Sequence, residues 1–167
     1  MNRLVEQLLC VARLDSVVLD ASSPVDLRQL AEEVVGAMAH LALAAGRTIA
    51  LTGDDHPVVV IGNAAAIADA LRNLIENALV HTPPGTEVII EVDPNGAISV
   101  QDSGPGVPAE DRPHIFERFW RGKRVRAEGA GLGLAIVMEI VRAHGVSITV
   151  SDRDPRGARF DLRFRPA

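Results

Sequence analysis

Cysteine is all but missing. Cys10 is the only one in 167 residues, so neither an intrachain disulfide nor a cysteine cluster for zinc can be built. No apolar run approaches the roughly 20 residues that a membrane-spanning helix needs. The first residues lack the basic-then-apolar layout of a signal peptide, and a soluble piece is expected. A basic excess is lacking too. Lys and Arg number 17 against 22 Asp and Glu, a net charge of −5 that argues against nucleic acid as a partner. There is no internal repeat and no low-complexity tract. What remains is ordinary globular composition, 47% hydrophobic and 23% charged, in a chain long enough for one domain with a real core.

The basic residues are unevenly spread. Arg112, Arg118, Arg121, Lys123, Arg124 and Arg126 fall in one short stretch whose only acid is Glu117, a local excess that suits an anionic ligand.

Taken in order, Met1 to Asp15 is expected to form a short amphipathic helix with Leu4, Val5, Leu8, Val11 and Ala12 on one side. A helix this short is marginal alone, so its apolar side wants a partner. Ala21-Ser22-Ser23-Pro24 is a break, which sets a boundary between residues 1–20 and a domain over 21–167. Val25 begins an extended segment. A helix follows from Asp26 to about Ala45, with Leu27, Leu30, Ala31, Val34, Ala37, Met38 and Leu41 as its core face. Thr48–Leu51 and Val58–Ile61 read as strands joined by the turn Gly53 to Pro57.

Asn63 is a candidate N-cap for a second helix, stopped by Pro83-Pro84-Gly85. Thr86–Val92 and Ala97–Gln101 flank Asp93-Pro94-Asn95-Gly96, a hairpin signal. Short helical turns are expected over Pro108–Phe119 and a mobile loop over Arg121–Gly131. Leu132–His144 is a third helix closed by Gly145, and a final hairpin pairs Val146–Ser151 with Ala158–Phe164. The pattern predicts an α+β, two-layer sandwich: a mixed, mostly antiparallel sheet with about three helices packed on one face.

Three clusters carry chemistry. In the second helix Ile67, Leu71, Leu74, Ile75 and Ala78 form the buried stripe, and Asn73 and Asn77 project together from its flank. His81 lies one turn on. Carboxamide oxygens suit a hard cation such as Mg²⁺, although an Asn pair is equally at home on a half-exposed helix. Asp102-Ser103-Gly104-Pro105-Gly106 ends a predicted strand. There Asp102 can accept from an exocyclic amine and the glycines let a flat ring approach, yet the same residues make a plain turn. Gly129-Ala130-Gly131-Leu132-Gly133-Leu134 leads into a helix, whose free amides favour phosphate. It is neither a Walker loop nor a dinucleotide fingerprint, and a flexible hinge is the alternative.

In this order the clusters resemble the catalytic and ATP-binding domain of sensor histidine kinases, within the GHKL superfamily that includes gyrase, heat-shock chaperone and mismatch-repair ATPases. Asn73-Leu-Ile-Glu-Asn77-Ala resembles the N box, and Asp102-Ser-Gly-Pro-Gly106 the G1 box. Ile115-Phe-Glu-Arg-Phe-Trp-Arg121 resembles the F box, and Gly129-Ala-Gly-Leu-Gly-Leu134 the G2 box. The likeness spans about Pro24 to Phe164, and Leu8 to Asp15 resembles the end of the dimerisation helix that precedes such domains.

The resemblance implies a Bergerat-type fold and a kinase that uses Mg²⁺ and ATP. Asn77, helped by Asn73, would hold the cation, and His81 would lie beside the adenine. Asp102 would bind the adenine amine, in a pocket shaped by Gly104, Gly106 and Val107. Arg121, with Arg118 nearby, would neutralise charge as the γ-phosphoryl leaves. Gly129, Gly131, Leu132, Gly133 and Leu134 would line the phosphates. Phe116 and Phe119 are read as anchors of the loop base.

The members that hydrolyse ATP, and the related serine kinases, carry a Glu where this chain has Asn73, so the resemblance favours a histidine acceptor. Val80 replaces a residue that is often basic. The phosphoacceptor His-Glu/Asp motif is absent, so the chain is expected to be a fragment whose acceptor lies on a missing dimerisation domain. The implied partners are that domain and a response regulator, with no nucleic acid and no direct membrane contact. The isolated piece would be a monomeric cytoplasmic domain of a membrane-anchored parent. The competing readings are a nucleotide-binding signalling module that no longer transfers phosphate, and an ATPase of the chaperone or topoisomerase kind.

Overall fold

The structure, a computed structural model, describes residues 23–53, 55–120 and 131–167. The expected helix over Met1–Asp15, the unit over residues 1–20, Arg121, Gly129 and most of the expected mobile loop lie outside them.

The described residues open on strand β1 (Ser23–Asp26), so Ser23 and Pro24, expected to lie in a break, already pair. Helix α1 (Leu27–Ala44) follows directly. Asp26 caps it, its Oδ1 accepting from Arg28 N at 2.9 Å. The same oxygen accepts from Val58 N at 3.2 Å, tying the corner to the next strand pair. Leu27, Leu30, Ala31, Val34, Met38 and Ala42 are buried. The expected face therefore needs correcting at its end, because Leu41 is 48% exposed and Ala37 is exposed too. Steps of four from Val34 to Met38 to Ala42 keep the stripe on the sheet, whereas Ala37 and Leu41 sit one position off it.

Strands β2 (Thr48–Gly53) and β3 (Val59–Gly62) both form, but they do not pair with each other. β3 runs antiparallel to β1 in a two-stranded ribbon, while β2 lies parallel to β4 (Glu87–Asp93). The register explains the choice: Ile49 and Leu51 sit opposite Val88 and Ile90, so both pairs turn their apolar side to the core.

Helix α2 (Ala64–His81) is capped by Asn63, whose Oδ1 accepts from Ala66 N at 3.0 Å. β4 and β5 (Ala97–Gln101) form the expected hairpin, and α3 (Gly133–His144) ends at left-handed Gly145. β6 (Ser147–Asp152) and β7 (Ala158–Arg163) close the chain. The main sheet runs β2-β4-β5-β7-β6, and only its β2–β4 pair is parallel.

Val88, Ile90, Val92, Ile98, Val100, Phe160 and Leu162 face the three helices and make one core with them. The opposite face is polar. There Arg159 Nη1 lies 2.8 Å from Glu91 Oε2, and its Nε lies 2.9 Å from Asp161 Oδ1. Desolvation of Arg159 is outweighed by these two carboxylates, and its pKa is raised. The α+β layering is as expected. No helix among the described residues is long and apolar enough to cross a membrane.

Candidate functional site

The α2 stripe places Asn73, Asn77 and His81 on one half-buried line beside the core, one turn apart. Asn73 Nδ2 donates to the Asp69 carbonyl at 2.8 Å, which fixes the carboxamide with its oxygen outward. That oxygen faces the start of α3, where a Cβ on Gly133 would lie only 3.2 Å from Asn73 Oδ1. Helix α2 and the glycine motif thus meet at Asn73. Asn77 makes no side-chain hydrogen bond among the described residues. Glu76 points to solvent.

At the start of α3, Leu132 provides no side-chain cap, so the first amides of the helix are open to a ligand. Leu132 is buried, and Leu134 packs partly against the core. Gly131 has φ +67, and a Cβ there would lie 2.8 Å from the Trp120 carbonyl oxygen. The same residue accepts Phe119 N at 2.9 Å. The two ends of the intervening segment are therefore bonded together.

Asp102 directly follows β5 and is only 5% exposed. Its Oδ1 accepts from Gly104 N at 2.8 Å and from Ala158 N at 3.3 Å. No donor among the described residues reaches its Oδ2. Burial raises the Asp102 pKa above the ordinary range, opposed by the Gly104 and Ala158 bonds and by nearby His81 and Arg153. Burial lowers the His81 pKa, and the Asp102 charge works against that shift. The two side chains therefore share one partly dehydrated pocket. Gly104 closes it, because a Cβ there would meet Asp102 Oδ1 and the His81 carbonyl oxygen, both at 3.0 Å. Gly106 has φ +77, and Val107 packs against the core.

Arg118 is not gathered into this cluster; its Nη2 lies 3.9 Å from Glu139 on α3. Arg112 belongs to the basic stretch by sequence but points elsewhere, donating to the Val107 carbonyl at 3.0 Å and to Asp152 Oδ1 at 2.6 Å. Phe116 packs against the core as an anchor should. Phe119 does not: it is 66% exposed, with a left-handed φ of 64°. It sits where the chain must turn to close the neck with Gly131, and that turn directs the ring to solvent.

Sequence reasoning missed two supports. Gly157, at φ +128, lies so close to Asp102 that a Cβ would fall 1.8 Å from its carbonyl oxygen, and only the Asp-Pro-Arg-Gly turn hinted at it. Arg47 Nε donates to the Thr82 carbonyl at 3.0 Å and Nη1 to Ala45 O at 2.6 Å, holding the end of α2 beside His81. Nothing in the sequence marks that long-range contact.

Two helices, a buried carboxylate and glycine turns thus meet beside one mixed sheet. The family model described as "Histidine kinase-, DNA gyrase B-, and HSP90-like ATPase" matches residues 62–167, and the chain belongs to that family. It is 43% identical to the probable sensor histidine kinase TcrY of Mycobacterium tuberculosis, over 98% of this chain and 35% of that protein. The mycobacterial sensor histidine kinase MprB structure is 30% identical with TM-score 0.72, covering 87% of this chain and 99% of that one. Full-length ShkA in complex with AMPPNP gives 30% identity and TM-score 0.77, over 98% of this chain and 36% of that one. Within the family, the chain is the ATP-binding catalytic domain of a two-component sensor histidine kinase. It spans about a third of the length of TcrY.

Proposed function

We propose that this domain binds Mg-ATP between α2, the Asp102 loop and the start of α3, and passes the γ-phosphoryl group to a histidine on a dimerisation domain outside this chain. The observation that carries the reading is the Asp102 carboxylate, buried, with Oδ1 held by two backbone amides and Oδ2 left for an adenine amine. ShkA, similar over nearly the whole chain, was crystallised with an ATP analogue.

His81 covers one side of the base, while Gly104, Gly106 and Val107 form the adenine end. Gly131, Leu132, Gly133 and Leu134 present the α3 amides and flanking backbone to the phosphates, and Gly129, outside the described residues, would add to them. The donor set fits a hard cation, because Asn73 is turned oxygen-outward and Asn77 has no competing bond among the described residues. Asn73 and Asn77 would hold Mg²⁺, which when bound neutralises phosphate charge. Arg121, which lies outside the described residues, would stabilise the charge that grows as the γ-phosphoryl departs, with Arg118 able to help only by leaving Glu139.

The two α2 positions that could offer a carboxylate base do not: Asn73 cannot take a proton, and Glu76 is exposed on another line of the helix. The acceptor must therefore be nucleophilic already, as a neutral imidazole is. The domain's share of catalysis is positioning and charge neutralisation. Residues 1–20, outside the described residues, resemble by sequence the end of the dimerisation segment that precedes such domains, and a cognate response regulator would receive the phosphoryl group. The parent protein is membrane-anchored, with this domain on the cytoplasmic side where ATP is available.

The test is to incubate the chain with Mg-ATP and a separately purified, histidine-containing dimerisation domain. Acid-labile phosphate on the added domain is expected. ATP binding without labelling would instead favour a signalling module that no longer transfers phosphate. Sustained ATP turnover by the isolated chain would favour a hydrolase.

A further inference from the structure

The Gly104–Val107 loop holds two glycines and a proline before Val107, which packs against the core, and its outer carbonyls are both held by arginines from outside the nucleotide motifs. Arg112 Nε donates to Val107 O at 3.0 Å while its Nη2 lies 2.6 Å from Asp152 Oδ1 at the end of β6. Arg156, four residues beyond Asp152 in the β6–β7 turn, donates through Nε to Gly104 O at 3.1 Å. Gly104 is consequently held from both sides, its N–H by the Asp102 carboxylate at 2.8 Å and its carbonyl by Arg156. Bonds from a guanidinium are stronger than neutral ones and directional. Arg112 is half-buried and makes two of them, so it outweighs the exposed Arg156.

We infer that Arg112 and Arg156 are positioning residues that brace this loop against Asp102, and so set how strictly the pocket selects the exocyclic amine of adenine. The inference rests on Asp102 being the acceptor of that amine. A single carboxylate oxygen distinguishes an amine from a carbonyl only while it is held in place. Slack in the Gly104 peptide lets Asp102 withdraw, which weakens both its bond to an amine and its repulsion of a carbonyl oxygen.

The test compares affinities of the purified chain for Mg-ATP and for Mg-inosine triphosphate, in which a carbonyl replaces the amine. Arg112→Ala should lose about tenfold in ATP affinity and change inosine triphosphate affinity by less than about threefold. Arg156→Ala should act in the same direction but more weakly, and the double variant should narrow the preference further. Arg112→Lys keeps one donor and should restore part of it. Melting temperatures without ligand verify that each variant is folded.

Arginine variants that keep the wild-type preference, or lose both affinities equally as general loosening would produce, overturn the brace. Asp102→Asn separates the two levels of the reading. If it abolishes the preference while the arginine variants do not, the brace alone fails. If Asp102→Asn itself keeps the preference, the adenine assignment fails and the brace with it.

Discussion

Replacing Asp102 by asparagine should weaken nucleotide binding and stabilise the empty protein at once. The substitution is isosteric, and an amide oxygen can still accept from Gly104 N and Ala158 N, so the loop has no steric reason to move. What disappears is a buried negative charge. Burial raises the Asp102 pKa, so the folded protein holds this proton more tightly than the unfolded chain does. The stability linked to the group is therefore fully present below the ordinary Asp value and lost as pH rises through the raised one. At neutral pH the wild type carries that cost and the asparagine variant does not. Its melting temperature should exceed the wild type's at pH 7, with the gap closing in acid.

For ATP the sign reverses. The variant turns an amide toward the adenine amine, losing a hydrogen bond to a charged group worth about 1.5–3 kcal/mol, or about 10- to 150-fold in affinity. Calorimetric titration with Mg-ATP and paired thermal melts at two pH values read both effects. Near wild-type ATP affinity in a folded variant would refute the pocket assignment. A variant less stable than wild type at neutral pH would refute the desolvation argument.

Other consequences can be checked singly. Asn77→Ala should lower ATP affinity by about tenfold with Mg²⁺ present and much less in excess chelator, measured by the same titration. Gly157→Ala places a methyl inside the Asp102 carbonyl and should cost about 2–4 kcal/mol in denaturant unfolding, with a left-handed backbone adding to the clash. His81 is held neutral by burial, so its contribution to stability is present above the ordinary histidine value and lost as pH falls through the lowered one. His81→Phe should flatten the acid side of the melting curve while keeping a flat ring beside the base. Mass spectrometry after incubation with Mg-ATP should find no phosphate on any of the five histidines.

The parts of this fold that were legible in the sequence are the local ones. Asn63 as a cap, the Asp93–Gly96 hairpin, Gly145 as a helix stop and the α2 stripe are each written within a few neighbouring residues, and each formed as expected. Pairing over long range was not legible. β2 and β3 flank a convincing turn, yet β2 has a better apolar match across the sheet in β4, and that comparison needs three dimensions. The same division holds at the site. Motif spacing pointed to Asn73 and Gly133, which the fold brings together, and to Asp102, which it buries near His81. Arg47, Arg112, Arg156 and Gly157 act through backbone carbonyls, a kind of contact that leaves no residue pattern to find.

The closed neck at Phe119 and Gly131 insulates the fold from the segment it bounds. Because the two ends are bonded at 2.9 Å, the core and the Asp102 pocket experience the same boundary whatever number of residues lies between. In general, each doubling of a connection between two joined ends costs only about 0.6 kcal/mol. Residues inserted between Phe119 and Gly131 should thus leave the fold on either side of the neck unchanged, provided Arg121 and Gly129, proposed to meet the nucleotide, are kept.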